Sequence, residues 1–411
     1  MKLNRKHFFM GLIIIFIIAI LFAIFGDNYK KRAVIRLKGI TVTEPIKDFN
    51  INNKSVFVWA DPVLYISDKE GNIIKKVHRD DEDIEAFFVN NYAFLYEKDL
   101  GKVHMYSELG EPLSTIEIKG EVFNISYENA NVIFHIIDED KEKLLMLNND
   151  TTLTEVYETG NQILTYDIDT EENYSVSELV THANGYTSLV YRFNGEEKYK
   201  KELAHEIVMF VNHSKNSTLF LTNQKLYRLI DDENIYTSDV PNISDILVDG
   251  RKTYLLHSGI ITEFNYKLNP VDKRIIAANV NHMENVSGSL YVYGPSDIGG
   301  EIGTRGEFYT RLGYSLDKMQ INGLTIGALR NGELNLYRVI STNLISDKEA
   351  TLDTNYIEEW FFGTKYTRSC KRCRYCTSIY IWWTGDLGKT CRCWNSHSDN
   401  FYYFKSCRQI Y

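Results

Sequence analysis

A strand–turn–strand grammar that returns at a nearly constant interval constrains this chain more than any other feature. It is plainest from Val56: an apolar stretch at 56–59, a turn at Asp61-Pro62, a second stretch at 63–67, a turn at 68–71 and a third stretch at 72–77. β-Branched and aromatic residues fill the stretches while Asp, Pro and Gly fill the breaks, which is the chemistry of short strands joined by tight turns. The grammar recurs at 93–96, 99–101 and 102–106, with a further strand at 112–118, and again from Val132, Ser188, Thr218, Thr253, Leu290 and Leu324. Successive starts lie 37, 39, 56, 30, 35, 37 and 34 residues apart. A unit this small cannot bury its apolar face alone, so the copies must pack on one another.

All but one of those intervals match the length of a four-stranded propeller blade. The long interval calls for an insertion, placed in the fourth unit, where 163–167 is followed by a polar, acidic stretch at 169–177 read as an extended loop. Six units carry an apolar segment ahead of the aligned strand, at 84–89, 122–127, 163–167, 207–212, 243–248 and 275–280, and these are expected to be the innermost strands around a central channel. The fold class is therefore all-β, a seven- or eight-bladed β-propeller spanning 33–342. The last unit, near 314–342, shows three strands, and the segment 33–38 (AVIRLK) is the expected fourth, which would close the ring and leave no open sheet edge.

On that rhythm the chain resembles the superfamily of quinoprotein-like and YVTN-type β-propellers, and within it membrane-anchored propellers of low-GC Gram-positive bacteria. No Trp-Asp dipeptide ends the units, unlike WD40 repeats. The resemblance implies either a cofactor-dependent dehydrogenase or a structural scaffold, and so selects no activity.

Ahead of the repeats, residues 8–25 (FFMGLIIIFIIAILFAIF) form an uncharged apolar run. Eighteen residues in a helix span roughly 27 Å, close to the hydrocarbon thickness of a bilayer. The run passes through bulky side chains into Gly26-Asp27-Asn28 with no small-residue cleavage site, so residues 1–32 are expected to be a short cytoplasmic tail and an uncleaved signal-anchor helix. Lys2, Arg5 and Lys6 precede it and Lys30, Lys31 and Arg32 follow; the short basic tail favours an N-inside orientation, with the propeller outside the cytoplasm at the cell membrane.

The chain has 44% hydrophobic and 13% aromatic residues and six prolines, enough for a core. Its net charge is −9; residues 363–411 hold nine Lys or Arg against two Asp, which is +7 and leaves −16 for the remainder. So acidic a body excludes nucleic acid as a partner, since phosphate needs a cationic footprint.

No catalytic, cofactor-binding or metal-ligating residue set emerges. Asp167-Ile168-Asp169-Thr170-Glu171-Glu172 lacks the spacing of a calcium loop and reads as a solvated acidic loop. Residues 294–306 (GPSDIGGEIGTRG) lack the Gly-Lys-Ser/Thr ending of a phosphate cradle and read as hairpin turns. The ten histidines are scattered; His104, His135 and His257 fall in or beside strands and read as strand residues rather than ligands. The clusters at 80–83 and 231–233 read as acidic loops, and a general acid–base pair among them would need a measured separation across a cleft.

The tail, 343–411, differs in kind. All six cysteines (Cys370, Cys373, Cys376, Cys391, Cys393, Cys407) lie in it, and so do four of the five tryptophans, three of them (Trp382, Trp383, Trp394) among the cysteines. Three explanations stand: up to three disulfides outside the cytoplasm; a zinc site of Cys373, Cys376, Cys391 and Cys393 with His397 in reserve; or a shifted reading frame, in which Cys codons replace those for Val or Ala and Trp replaces Gly. The function expected is a non-enzymatic, membrane-tethered, extracytoplasmic scaffold for a protein or cell-envelope partner. The alternatives are a ligand- or sugar-binding sensor and, further off, a propeller enzyme.

Overall fold

The computed structural model describes residues 31–342, except for positions 80–82, 196, 232–233, 241, 277–278 and 305, together with Phe16 and three short strands between 378 and 404. The chain divides into two units, Met1–Leu352 and Asp353–Tyr411.

Eight four-stranded antiparallel sheets make up the first unit, which settles the blade number at eight. We letter the strands of each blade A to D from the inside outward. The A strands of blades 1 to 8 are Asp48–Ile51, Ile84–Val89, Glu121–Glu128, Gln162–Ile168, Val208–Ser214, Ile243–Asp249, His282–Val286 and Lys318–Asn322. The A strands of blades 2 and 3, 4 and 5, 6 and 7, 7 and 8, and 8 and 1 lie against one another. The D strand of blade 8 is Lys31–Arg36, which pairs with the C strand Glu333–Thr342 in a register running from Lys31↔Thr342 to Arg36↔Tyr337. The expected closure at 33–38 is thus observed: the first described strand seals the last blade.

The core lies between blades, because each sheet has two faces to cover and the next sheet is the only cover available. Between blades 2 and 3, Phe94, Tyr96 and Val103 pack on Ile125 and Phe134, with the rings of Phe94 and Phe134 edge to face at 5.7 Å. At the closing seam, Phe49 and Ile51 of blade 1 join Leu329, Leu334 and Leu336 of blade 8. Gly327 is required there: a Cβ at that position would lie 2.4 Å from Phe49 Cε2, and Phe49 is fully buried. Burial of one such phenylalanine stabilises the seam by about 2–3 kcal/mol.

Two sequence expectations need correction. The long fourth interval is not a loop at 169–177, since only a tight turn separates the A strand from a B strand at Asn173–His182. Blade 4 is enlarged by long strands, of 10, 10 and 8 residues, and Ser188 lies in its C strand, Gly185–Asn194, one strand later than the other aligned starts. B strands begin at Val56, Tyr92, Asn131, Asn173, Ser217, Lys252, Ser289 and Thr325, giving intervals of 36, 39, 42, 44, 35, 37 and 36 residues. The second correction concerns 275–280. The innermost strand of blade 7 is His282–Val286, with Met283 and Val286 buried. Ile276 and Val280 pack into the seam from the preceding connection, while Ile275 ends the outer strand of blade 6 and is 84% exposed.

No helix among the described residues is long and apolar enough to cross a membrane, and the run 8–25 lies outside them but for Phe16. In the second unit, Ser378–Trp382, Thr390–Trp394 and Phe401–Phe404 form a three-stranded antiparallel sheet with Cys391 and Cys393 on its middle strand. Cys370, Cys373, Cys376, Cys407 and His397 lie outside the described residues.

Candidate functional site

Each A strand has one edge paired within its own sheet, and backbone groups on its other edge need partners from elsewhere. Side chains of the preceding blade supply some of them. Asp167 Oδ2 accepts the backbone N–H of His213 at 2.6 Å, and Asp245 Oδ2 accepts that of Met283 at 2.6 Å. Gln320 Oε1 accepts from Ile51 N at 2.9 Å, and Glu142 Oε2 from Ile163 N at 2.7 Å. Asp167 also receives Asn129 Nδ2 on Oδ1 and Asn212 Nδ2 on Oδ2, so one carboxylate ties blades 3, 4 and 5 together. It is 4% exposed on an A strand, which corrects its assignment to a solvated loop; Asp169, Glu171 and Glu172 do sit in the exposed turn that follows.

Next to this clamp, Ser175 Oγ lies 2.9 Å from His213 Nδ1 and 2.6 Å from Thr218 Oγ1. A serine beside a histidine invites a nucleophilic reading, and the geometry opposes it. Asp167 holds the histidine backbone rather than its ring, and Ser175 is fully buried, so no substrate reaches Oγ. The pair stitches blade 4 to blade 5.

A second tie recurs on the C strands. Arg192 Nη1 and Nη2 donate to the carbonyl oxygens of Ile230 (3.2 Å) and Lys215 (2.6 Å) in blade 5. Arg228 of blade 5 stacks on Tyr266 of blade 6 at 4.4 Å, and Arg338 of blade 8 donates to Glu70 of blade 1 at 2.9 Å. Each follows a tyrosine in an apolar strand, as Tyr191-Arg192, Tyr227-Arg228 and Tyr337-Arg338. That Tyr-Arg dipeptide, recurring in three blades, is the sequence signal for these ties.

Burial sets the titration of this wall. It pushes Asp167 up to about 6, and pushes Glu128 up to about 7 with the charge of Asp167 adding to the effect. Glu284 is likewise pushed to about 7 and Asp245 is raised, both by burial first. The His213 ring is held down to about 4 by burial and then by the Arg192 charge.

One mouth of the channel is asymmetric. The pairing of A with B is interrupted by a register shift near the start of the A strand in blades 3, 4, 5 and 6, at Val122/Asn124, Ile163/Thr165, Val208/Phe210 and Ile243/Asp245. The residues set out of the ladder are Phe123, Leu164, Met209 and Ser244. In blades 7, 8, 1 and 2 the same pairing runs without a shift. β-Bulges re-aim side chains, and here two apolar ones are left in solvent: Phe123 is 60% and Met209 49% exposed.

The remaining features weighed in the sequence fall at strand and turn positions. His104 Nδ1 meets Thr115 Oγ1, His135 Nε2 meets Glu142 Oε2, and His257 Nε2 meets Thr262 Oγ1. Residues 294–306 include the short C strand Asp297–Gly300 and the turn into Phe308–Arg311. Asp231 caps a turn by accepting from Asn234; residues 80–82 and 232–233 lie outside the described residues. Among the described residues no three His, Cys, Asp or Glu side chains group to hold a metal. An open depression of about 190 Å³ lies over His104, Tyr106, Pro112 and Thr115 on the outer strands of blade 2, and a crevice too narrow for water lies beside Tyr254, Arg274 and Leu290.

No family model matches the chain, and no curated protein matches its sequence. Among solved structures it is similar to BamB from Moraxella catarrhalis, at 7% identity and a TM-score of 0.50 over 74% of this chain and 100% of that one. It is similar to Saccharomyces cerevisiae Sqt1 at 10% identity and a TM-score of 0.51 over 76% and 99% of the two chains, and to a eukaryotic initiation factor at 13% and 0.51 over 75% and 90%. At these identities the likeness shows the fold, a β-propeller, and no more.

Proposed function

We propose that this propeller is a membrane-tethered, extracytoplasmic scaffold for a protein or cell-envelope partner, akin to membrane-anchored propellers of low-GC Gram-positive bacteria, and not an enzyme. The observation that carries this reading is where the chain enters and leaves the ring. All A strands start on one face of the ring, so C strands end on the opposite face. Lys31 pairs with Thr342, the end of a C strand, which puts both chain ends of the propeller on that opposite face. A helix at 8–25 would end only five residues before Lys31, holding that face toward the bilayer and leaving the other face free. Tethering also raises the effective concentration of neighbouring membrane components.

The test is in-cell cross-linking of the full-length protein with mass spectrometry of what co-purifies, against a control carrying only residues 1–32. A reproducible, discrete partner joined through the propeller supports the scaffold. Recovery no greater than from the control would remove it and move the ligand- or sugar-binding sensor to the front.

A further inference from the structure

The C-strand arginines of blades 5 and 8 each reach a C–D turn of the next blade, and the two turns carry opposite charges. Residues 68–72 in blade 1 and 265–269 in blade 6 make the same turn. In each, the first residue's N–H donates to the fifth residue's carbonyl oxygen, at 2.9 Å from Asp68 and 3.0 Å from Asn265. In each, the first side chain's Oδ1 accepts from the third and fifth backbone N–H groups, and the fourth residue, Gly71 or Leu268, has a positive φ. The third residue is Glu70 in one and Lys267 in the other. Arg338 therefore finds a carboxylate, with Nη2 2.9 Å from Glu70 Oε1, whereas Arg228 finds a turn that carries a cation.

Arg228 is 7% exposed, and two contacts fix its guanidinium: Nη1 donates to Ser217 Oγ at 3.3 Å, and its face lies on the Tyr266 ring. The Nε–Nη2 edge is the fork that binds a carboxylate side-on. It has no hydrogen-bond or ion-pair partner among the described residues, and Nε is buried. A and C strands run in one direction, so the A–B turns holding Lys215 and Arg251 close on the same face as that C–D turn. Lys215, Arg251 and Lys267 are exposed, and none forms an ion pair among the described residues. The acids at this end are engaged: Asp231 accepts from Asn234 and Asp249 from Asn285. On an otherwise acidic body, this end of the blade 5–6 seam is locally cationic.

We propose that the blade 5–6 seam, on the face that carries Lys31 and Thr342, binds a carboxylate of an acidic segment of a partner protein. Arg228 is its two-pronged donor, Tyr266 lies beside it, and Lys215, Arg251 and Lys267 surround it. The inference rests on the scaffold reading for its partner and names the chemistry recognised. Holding a guanidinium out of water without a counter-charge costs stability, and the fold offsets that cost with Glu70 at Arg338 but with nothing at Arg228. The same arginine-on-turn arrangement takes a carboxylate in blade 1, which selects a carboxylate over a phosphate here. The planar edge left by the contacts on Nη1 and the ring face offers two parallel N–H groups to two coplanar oxygens. Unpaired cations at the rim steer an acidic segment toward the seam and repel a basic one. On the tethered reading this face looks toward the bilayer, so the segment belongs to a membrane neighbour close to the lipid surface.

The experiment measures binding of fluorescent peptides to the full-length protein in detergent at fixed ionic strength. One peptide alternates Glu and Gly and has an amidated end, a second replaces every Glu by Gln, and a third is the Gln peptide with a free C-terminal carboxylate. The amidated Gln peptide should bind more weakly by about tenfold or more than whichever carboxylate peptide binds, and the first and third tell a side chain from a chain end. R228K keeps the charge and loses the fork, and should weaken binding by about tenfold. K267E supplies the carboxylate that Glu70 supplies to Arg338; it should abolish binding and raise the unfolding temperature, a rise that charge repulsion of the peptide alone would not give. Binding unchanged in R228K or K267E, equal binding of all three peptides, or displacement by inorganic phosphate at lower concentration than by acetate overturns the proposal. In the in-cell cross-linking, a partner recovered equally from wild type and K267E removes this site and keeps the scaffold. Peptide binding that behaves as expected, with no partner recovered in cells, keeps the site and removes the scaffold.

Discussion

Asp167 Oδ2 accepts the backbone N–H of His213 at 2.6 Å, so a carboxylate of blade 4 closes a main-chain donor of blade 5. The same carboxylate is pushed up to about 6 by burial, and Glu128 beside it to about 7. The inner seam is therefore held by groups that titrate close to neutral pH.

A pH dependence follows with a definite sign. Raised carboxyls bind protons in the folded state that the unfolded chain releases, so their contribution is complete below about pH 4 and is lost as pH rises through about 7. Glu128→Gln should therefore stabilise the protein relative to wild type by on the order of 2 kcal/mol at pH 8 and by little at pH 5. His213 carries the opposite sign: held down to about 4, it costs stability as pH falls from about 6.5. Denaturant unfolding of both proteins at pH 5, 6.5 and 8 checks this, and an E128Q difference that shrinks toward high pH would refute it.

Arg192 and Arg338 occupy equivalent places in their blades and should differ in weight. Arg192 is 3% exposed and donates to two carbonyl oxygens, which its loss would leave short of partners. Arg192→Ala should cost about 3 kcal/mol. Arg338 meets Glu70 where the side chains are 35% and 59% exposed, so Arg338→Ala should cost less than about 1 kcal/mol. Equal losses in the two variants would contradict this reading.

Ring closure depends on the strand next to the proposed anchor. A soluble protein starting at residue 31 should unfold in one cooperative transition, whereas one starting at 38 lacks the D strand of blade 8 and exposes the edge of Glu333–Thr342. Size-exclusion chromatography of the two should give a monomer and an aggregate. A well-behaved monomer from 38 would show that the strand is dispensable.

The longest hairpin reports topology. The B–C turn of blade 4, between His182 and Gly185, is exposed and extends beyond the A strand, whose first residue pairs with Leu179. An epitope inserted between Ala183 and Asn184 should bind antibody on cells whose envelope has been opened but whose membrane is intact. Binding only after membrane lysis would place the propeller in the cytoplasm.

Much of the fold could be read locally. Apolar, β-branched and aromatic stretches between turns rich in Gly, Asn and Asp mark the strands from their own residues, whether burial alternates as in Asp48–Ile51 or is continuous as in Val56–Ala60, and five of the six expected inner segments coincide with A strands. Blade 7 failed that reading because its A strand, His282–Val286, holds only two buried apolar residues, and the more apolar run before it is a connection. Blade 4 was misaligned because its long strands offered two equally good starts.

The sequence alone determined the repeat and the strand that closes it, since both follow from where the apolar stretches and the turns between them fall. Tertiary structure alone decided that Asp167 is buried in a seam while Asp169, two residues on, is in solvent, and that Phe123 is turned out of its ladder. The partners that make those distinctions come from other blades, such as Asn129 and His213 lying 38 and 46 residues from Asp167. Contacts at such separations follow from how the sheets pack, and no local periodicity encodes them.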